Sequence, residues 1–140
     1  MKVVLDTDVL VSGFISAGGA SRQLVVDALD GRFALLLSTP LLVEYEAVLR
    51  RRVHLERAGA SWAEVTEILD ALAGACVPLF FDYRWRPSGA DADDELVLET
   101  AVNGQADAIA TFNVRDMRAA AARFGILVQL PGPLLMRMRL

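Results

Sequence analysis

The opening of the chain, MKVVLD at residues 1–6, decides the fold, because a short β-branched apolar run stops there on a single acid. Such a run predicts a buried strand. Four further apolar runs follow at residues 33–38, 76–81, 106–111 and 126–130. Segments with helical periodicity separate these runs. The alternation predicts an α/β fold with a parallel sheet of about five strands covered by helices on both faces.

Helix signals place five helices between and after these strands. The predicted helices cover residues 22–31, 39–52, 61–74, 94–104 and 113–125. Pro40 suits the first turn of the second helix, and Ser61 with Glu64 forms a capping box for the third. The last ten residues, 131–140, are expected to form a tail. Two consecutive helices between the second and third strands predict a helical pair that can project from the sheet.

Length and composition limit the class of protein. With 140 residues, of which 54% are hydrophobic, we expect one domain over residues 1–140 with a sizeable core. The apolar stretches are too short for a signal peptide or a membrane span. The single cysteine gives no disulfide framework. The sequence therefore predicts a soluble cytoplasmic protein without membrane contact.

Acidic residues recur where predicted strands end or where the next helix starts. Asp6 ends the first strand, and Glu44 lies in the helix after the second. Asp94 opens the helix after the third strand, and Asp116 lies in the helix after the fourth. The carboxyl ends of parallel strands share one edge of the sheet, where sites form. Acids brought together repel one another unless a cation neutralises them, and carboxylate oxygens suit Mg²⁺ or Mn²⁺.

The acidic pattern therefore predicts a metal-dependent hydrolase of phosphodiesters. Each acid also has a purely structural interpretation, because an acid can cap a turn and because the dipole at a helix start favours negative charge. The joint order of the four acids along a βα repeat is what favours the functional interpretation. Four neighbours are expected to orient the carboxylates or bind water around them: Thr7, Asp8, Thr111 and Asn113.

The same residues give the chain a resemblance to the PIN-domain family of nucleases along nearly its whole length. The segments that carry it are VVLDTDVLVSGFIS at residues 3–16, residues 24–51 with their Leu-x-Glu-Tyr motif, and residues 91–117. Within that family the chain most resembles the toxins of type II toxin–antitoxin systems. Two positions depart from the usual pattern: Asp8 stands where the family usually has Asn, and Asn113 stands where many relatives have Asp.

This resemblance implies a PIN-like three-layer α/β/α sandwich and cleavage of RNA with Mg²⁺ or Mn²⁺. It implies that the metal-binding and catalytic acids are Asp6, Glu44, Asp94 and Asp116. It also implies a homodimer and a small antitoxin protein whose tail enters the acidic groove. One product of the reaction is expected to carry a 5′-phosphate.

Basic and aromatic residues supply candidates for RNA contact. The net charge of −4 argues against wrapping nucleic acid by bulk charge, but arginine suits phosphate through its planar fork. The candidates for RNA contact are Arg51, Arg84, Trp85 and Arg115. For Arg51 the alternative is a solvated helix end. The only histidine, His54, is expected at the surface because it lies in an arginine-rich stretch.

Two other functions remain open at this point. The motif LDTDVLV also resembles the nucleophile motif of haloacid-dehalogenase-type phosphatases, in which Asp6 would attack phosphorus and Asp8 would act as acid and base. This resemblance implies a downstream lysine that neutralises the phosphoryl group, and no lysine follows Lys2. The second alternative is a non-catalytic PIN-like module that binds RNA or protein, and the departures at Asp8 and Asn113 are the reason to retain it.

Overall fold

Five strands form one parallel sheet in the computed structural model, which describes the backbone of residues 1–79 and 92–139 and the side chains of residues 1–79 and 95–139. The strands are β1 (Lys2–Leu5), β2 (Ala34–Ser38), β3 (Val77–Leu79), β4 (Ala108–Ala110) and β5 (Leu127–Gln129). Each strand lies within one of the five predicted apolar runs. Aliphatic side chains dominate them because a parallel sheet is buried on both faces.

Helices cover this sheet to give the α/β/α sandwich that the sequence predicts. The helices that the structure describes are α1 (Thr7–Ile15), α2 (Ala20–Leu29), α3 (Thr39–Leu49), α4 (Arg52–Ala58), α5 (Trp62–Ala75), α6 (Ala92–Asn103), α7 (Val114–Ala121) and α8 (Pro131–Arg139). A 3₁₀ turn, Ala122–Phe124, extends α7. The predicted capping box is confirmed, because the Glu64 amide donates to Ser61 Oγ over 3.3 Å.

The order of the strands decides where a site can form. The order across the sheet is β3-β2-β1-β4-β5, so the chain builds outward from β1, crosses back, and continues on the other side of β1. Right-handed crossovers then place the helices between β1 and β3 on one face, where α1, α2, α3 and α5 pack together, and the helices α6 and α7, which follow β3 and β4, on the other face, where they contact each other. The strand order therefore reverses between β1 and β4. Ligands of open parallel sheets bind outside the carboxyl ends of the strands at such a switch point.

Helix α1 is not among the predicted helices, because β-branched residues and Gly13 interrupt its helical pattern. It forms because Asp6 is its N-cap and accepts a hydrogen bond from the Thr7 amide. Gly13 lets α1 and α2 approach closely, since a Cβ atom there would lie 3.0 Å from the Ser21 carbonyl oxygen. The sharp turn from β1 into α1 sets Asp6, Thr7 and Asp8 at the edge of the sheet.

Two further helices correct the sequence prediction. The helix predicted over residues 39–52 ends at Leu49, and a separate helix, α4, starts at Arg52 with Arg51 as its N-cap. Three helices therefore lie between β2 and β3 instead of two. The predicted tail is helix α8, which buries Leu134. It is fixed to α2 by an ion pair from Arg139 Nη2 to Asp27 Oδ2 at 3.2 Å.

Helix α6 is held against the end of β2. The hydroxyl oxygens of Ser38, the last residue of β2, and Thr100, in the middle of α6, are 2.7 Å apart. Asp94 lies six residues before Thr100, which is about 9 Å along the helix axis at 1.5 Å per residue. Because helices in a parallel α/β fold run opposite to the strands, this displacement carries the start of α6 beyond the carboxyl edge of the sheet.

No single helix among residues 1–79 and 92–139 is long and apolar enough to cross a membrane. Helices α1 and α2 pass the same test of length and composition only when taken together, and they are bent by 100° relative to each other. Both helices contribute side chains to the core, including Val9, Leu10 and Leu24.

Two glycines give opposite predictions for the same substitution. Gly104 follows α6, and a Cβ atom there would lie 2.7 Å from Leu79 Cδ1, 2.8 Å from Leu36 Cδ1 and 3.1 Å from a backbone oxygen. We expect Gly104→Ala to lower the free energy of unfolding by about 1–3 kcal/mol through overpacking. Gly74→Ala in α5 meets no atom within 4 Å of the new Cβ among the described residues and should stabilise by about 0.5–1 kcal/mol. Urea denaturation measures both, and equal effects would contradict this packing.

Candidate functional site

Asp6 is the residue around which the site is built. The Thr7 amide donates to Asp6 Oδ1 over 2.7 Å, and the Thr111 hydroxyl donates to Asp6 Oδ2 over 2.7 Å. The Asp6 amide donates to the Ala110 carbonyl over 2.9 Å, which extends the pairing of β1 with β4 by one residue. Only 8% of Asp6 is exposed and Thr111 is fully buried. Hydrogen bonds to a carboxylate stabilise its charged form, so these donors suit an ionised Asp6.

Glu44 joins the same network from helix α3. The Thr7 hydroxyl donates to Glu44 Oε2 over 3.4 Å, so one threonine links the turn after β1 to α3. The next residue, Tyr45, is fully buried, and its hydroxyl donates to the carbonyl of Leu5 at the end of β1. Tyr45 therefore fixes the helix that carries Glu44 to the strand that carries Asp6. Burial first, and then the charges of Asp6 and Glu44, raise the pKa of Tyr45 well above 10.0.

Asp8 ties α1 to the segment after β4. Its Oδ2 atom accepts a hydrogen bond from the Phe112 amide over 3.1 Å. The next amide, that of Asn113, donates to Thr111 Oγ1 over 2.9 Å. Thr111 and Phe112 are thus held against the two acids that follow β1, and Asn113 is held against Thr111. An Asp at position 8 is accommodated because it accepts a backbone hydrogen bond and because it lies in the first turn of a helix.

These acids face an open cavity of about 370 Å³, called here the acidic cavity. Its lining residues are Asp6, Thr7, Asp8, Val11, Glu44, Val48, Arg51, His54 and Asn113. The lining thus combines carboxylates with two basic side chains from α4 and its N-cap. Such a mixture suits a phosphodiester, since acids can hold a cation while an arginine binds a phosphate oxygen.

The structure brings some of the predicted site residues together and leaves others apart. Asp6, Thr7, Asp8, Glu44, Arg51 and Asn113 line the acidic cavity, with Thr111 bonded behind them. Asp116 is exposed in the first turn of α7 and does not line the acidic cavity. Asp94 has a described backbone in α6 but its side chain lies outside the described residues, as do Arg84 and Trp85. Arg115 is exposed near the start of α7 and lines a neighbouring cavity.

His54 is the site residue that sequence reasoning missed. It is half-buried, and it lines the acidic cavity three residues after Arg51. Its Nδ1 atom lies 2.7 Å from the Val48 carbonyl oxygen. A carbonyl only accepts, so Nδ1 carries the proton and Nε2 is the nitrogen left for other contacts. The spacing of three residues between Arg51 and His54, typical of one helix face, was the available signal.

Comparison with known proteins identifies the family. The family model described as PIN domain matches residues 2–115, which include β1, β4 and every residue of the acidic cavity. The chain belongs to the PIN domain family. The match ends one residue before Asp116. Comparisons with curated proteins and with solved structures each found no match.

Membership of the PIN family has consequences for activity. The sandwich is a PIN domain, a fold of nuclease type, and PIN domains are generally nucleases that typically use divalent metals. The haloacid-dehalogenase reading of the LDTDVLV motif loses its support, because the match covers that motif and no lysine follows Lys2.

The side chains of the acidic cavity fit a hard divalent cation in their donor chemistry, which is carboxylate oxygen. Asp6 and Glu44 offer such oxygens, and Asp8 lines the same cavity. Among the side chains that the structure describes, no three from Asp, Glu, His and Cys lie close enough together to hold an ion. Asp94, another of the predicted ligands, lies at the start of α6, and its side chain is outside the described residues.

Tyr45→Phe tests the contact that fixes α3 to β1. Loss of the hydroxyl leaves the Leu5 carbonyl without this donor, so we expect a loss of about 1–2 kcal/mol in the free energy of unfolding at neutral pH. The raised pKa of Tyr45 adds a pH dependence. Above the unfolded value near 10, the unfolded chain loses this phenolic proton and the folded protein keeps it, so stability falls as pH rises. Denaturation from pH 8 to 11 should show a smaller alkaline loss in the variant, and equal losses would contradict this role.

Proposed function

We propose that this PIN domain is an endoribonuclease that depends on Mg²⁺ or Mn²⁺ and hydrolyses RNA phosphodiester bonds. The observation that carries the proposal is the hydrogen-bonded pairing of Asp6 with Thr111 across the β1–β4 switch point, with Glu44 linked to it through Thr7. Buried donors that hold a carboxylate in one orientation at the mouth of a cavity are typical of a cation site. In this proposal Asp6, Glu44 and Asp94 hold the cation, and Asp116, which is exposed in the first turn of α7, is the fourth candidate ligand.

The chain's own residues have distinct tasks in this proposal. Thr7 and Thr111 fix the direction of the Asp6 carboxylate, and Thr7 also orients Glu44. Arg51, which lines the same cavity, binds a non-bridging phosphate oxygen of the RNA. His54 lines the same cavity, and its Nε2 is suited to a hydrogen bond with the ribose or phosphate. A divalent cation, when bound, would activate water for attack on phosphorus and neutralise the charge that develops there.

The toxin role in a toxin–antitoxin pair is the finer part of the proposal, and it rests on the resemblance of residues 3–16, 24–51 and 91–117 to such toxins. This part of the proposal includes a homodimer and a small antitoxin protein whose tail enters the acidic cavity. Growth arrest on expression in a bacterial host, absent for a variant without cleavage activity, is the expected result. A variant that stops growth as strongly as the original chain would contradict the toxin role while leaving nuclease activity open.

Cleavage of RNA by the Asp94→Asn variant tests the acid that completes the site. We expect metal-dependent cleavage in Mn²⁺ to fall by at least about 100-fold, because loss of a cation ligand removes several kcal/mol of charge stabilisation. Chelator should abolish cleavage by the original chain. Asp70→Asn is the matched control, since Asp70 is an exposed acid on α5 and its replacement makes the same change of charge.

The outcomes of that experiment separate the candidate functions. Equal cleavage by the original chain and by Asp94→Asn would show that Asp94 is not a ligand of the cation. Asp116→Asn, measured in the same assay, would then show whether Asp116 is the ligand instead. Absence of cleavage by the folded original chain with Mn²⁺ bound would favour the non-catalytic binding module. Binding of Mn²⁺ is followed by calorimetry.

Arg51→Ala tests the proposed phosphate contact, with Arg52→Ala as its control. Arg51 lines the acidic cavity, whereas Arg52 points to solvent and pairs with Glu56 over 2.9 Å. We expect Arg51→Ala to weaken RNA binding for all sequences and to reduce the slope of log affinity against log salt by about 0.7, the value for one phosphate contact to a single strand. Arg52→Ala should change neither. Fluorescence anisotropy in chelator at several salt concentrations measures the slopes, and equal slopes for both variants would exclude Arg51 as a phosphate ligand.

A further inference from the structure

The acidic cavity adjoins a second cavity of about 410 Å³, called here the flanking cavity. Asn113 lines both cavities, so they meet at this residue. The lining of the flanking cavity combines the aromatic ring of Phe112 with two arginines, Arg115 and Arg118. Over residues 1–79 and 95–139 this lining contains no acid, although the chain carries 18 acids against 14 lysines and arginines. A basic cavity therefore lies directly beside the acidic one.

The two arginines are placed to bind one anion together. They lie three residues apart on α7, so their Cβ atoms are neighbours on one helix face, about 5–6 Å apart. Both are exposed, and neither forms an ion pair with an acid in the described part of the chain. Arg118 Nη2 donates to the Val128 carbonyl over 3.4 Å, which directs this side chain toward β5 and leaves its other N–H donors for a ligand. Two guanidinium groups at this spacing suit a phosphate group.

Phe112 is held by its backbone next to the proposed cleavage site. Its amide donates to Asp8 Oδ2 over 3.1 Å, and the hydroxyl of the preceding residue, Thr111, donates to Asp6 Oδ2 over 2.7 Å. The ring takes no part in these contacts, and 49% of Phe112 is exposed. A single exposed aromatic residue is ordinary at a protein surface. An exposed ring that lines a cavity with two arginines is the combination by which proteins hold a single nucleic-acid strand, because bases stack on the ring while cations bind the backbone.

We propose that the flanking cavity is a nucleotide subsite that holds the RNA strand next to the scissile phosphate, whatever the base. Arg115 and Arg118 bind the neighbouring backbone phosphate, and Phe112 stacks on the base of that nucleotide. Every base has a π face, so this contact tolerates all sequences. Stacking on a side chain needs a base that is free of a duplex, so the ligand is a single strand. The subsite rests on the proposed function for the identity of that ligand, RNA.

Anisotropy with short fluorescent oligo(A), oligo(C) and oligo(U) in chelator tests the stacking contact. We expect Phe112→Leu to weaken binding of all three by about 10-fold, because the variant keeps an apolar side chain but loses the aromatic face. The hydrogen bond to Asp8 is made by the backbone and is retained. Trp62→Leu is the matched control, since Trp62 is 59% exposed on α5 and lines neither cavity. Equal affinities of Phe112→Leu and the original chain, or a loss for one oligomer alone, would overturn the subsite.

The salt dependence of the same binding tests the phosphate contact. Arg115→Ala should reduce the slope of log affinity against log salt by about 0.7, the value for one phosphate of a single strand. Arg123→Ala is the control of equal charge change, because Arg123 is exposed after α7, stacks on Phe124 and lines neither cavity. The double variant Arg51→Ala/Arg115→Ala should lose about 1.4, because one strand contacts both cavities. A double variant with the slope of either single variant would show that no strand reaches both, which overturns the subsite.

The failures of the subsite and of the nuclease can be told apart. With Mn²⁺, Phe112→Leu should raise KM about 10-fold and leave kcat within about 2-fold, because the flanking nucleotide is held equally before and during the reaction. An unchanged KM overturns the subsite and leaves the nuclease standing. Absence of cleavage by the original chain overturns the proposed function, while the measurements in chelator still decide the subsite.

Two further measurements complete the test. Uridine monophosphate should displace oligo(U) only weakly, because it cannot contact both cavities. Displacement as tight as that by unlabelled oligo(U) would make this a site for a free nucleotide and would overturn the proposal. Both single variants change exposed side chains, so their melting temperatures should equal that of the original chain. A large fall in both would show that these residues serve the fold, and would overturn the subsite as well.

Discussion

The hydrogen bond from the Thr111 hydroxyl to Asp6 Oδ2 is the interaction on which the site depends. It joins the ends of β1 and β4, the two strands between which the order of the sheet reverses. Both residues are buried, so the bond has little competition from water. Removing Thr111 would leave a nearly buried carboxylate with one donor fewer at the place where charge is most costly. Strand pairing and the direction of Asp6 are thus set by the same contact.

Tyr45 extends this constraint from the sheet to the helical layer. It is fully buried directly after Glu44, and it contacts the last residue of β1. A helix can rotate or slide on a sheet unless a specific contact fixes it, and the buried hydrogen bond from Tyr45 to the Leu5 carbonyl restricts both movements. The position of Glu44 relative to Asp6 therefore follows from core packing, with Thr7 adding a weaker link of 3.4 Å between them.

Sequence reasoning predicted the strands and the layers well, since buried parallel strands leave an unambiguous apolar signature, as in residues 33–38 and 106–111. It failed at α1 and α8. The first is stabilised by its Asp6 cap and by contact with α2, and the second by Leu134 and the Arg139–Asp27 pair. Neither cause is visible in local periodicity. The place of His54 in the acidic cavity was missed for a similar reason, because it depends on the break between α3 and α4.

The two departures from the usual family pattern compensate each other in charge. The chain has Asp8 where the family it resembles usually has Asn, and Asn113 where many relatives have Asp. Both residues line the acidic cavity, so the exchange moves one carboxylate across the cavity without changing the number of acids around it. Asp8 is a favourable host for that charge, because it lies in the first turn of α1 and accepts the Phe112 amide. At position 113 an amide avoids like-charge repulsion with the acids of the same cavity. The exchange therefore keeps the count of carboxylates around the acidic cavity, which is the property that a hard divalent cation needs from its ligands.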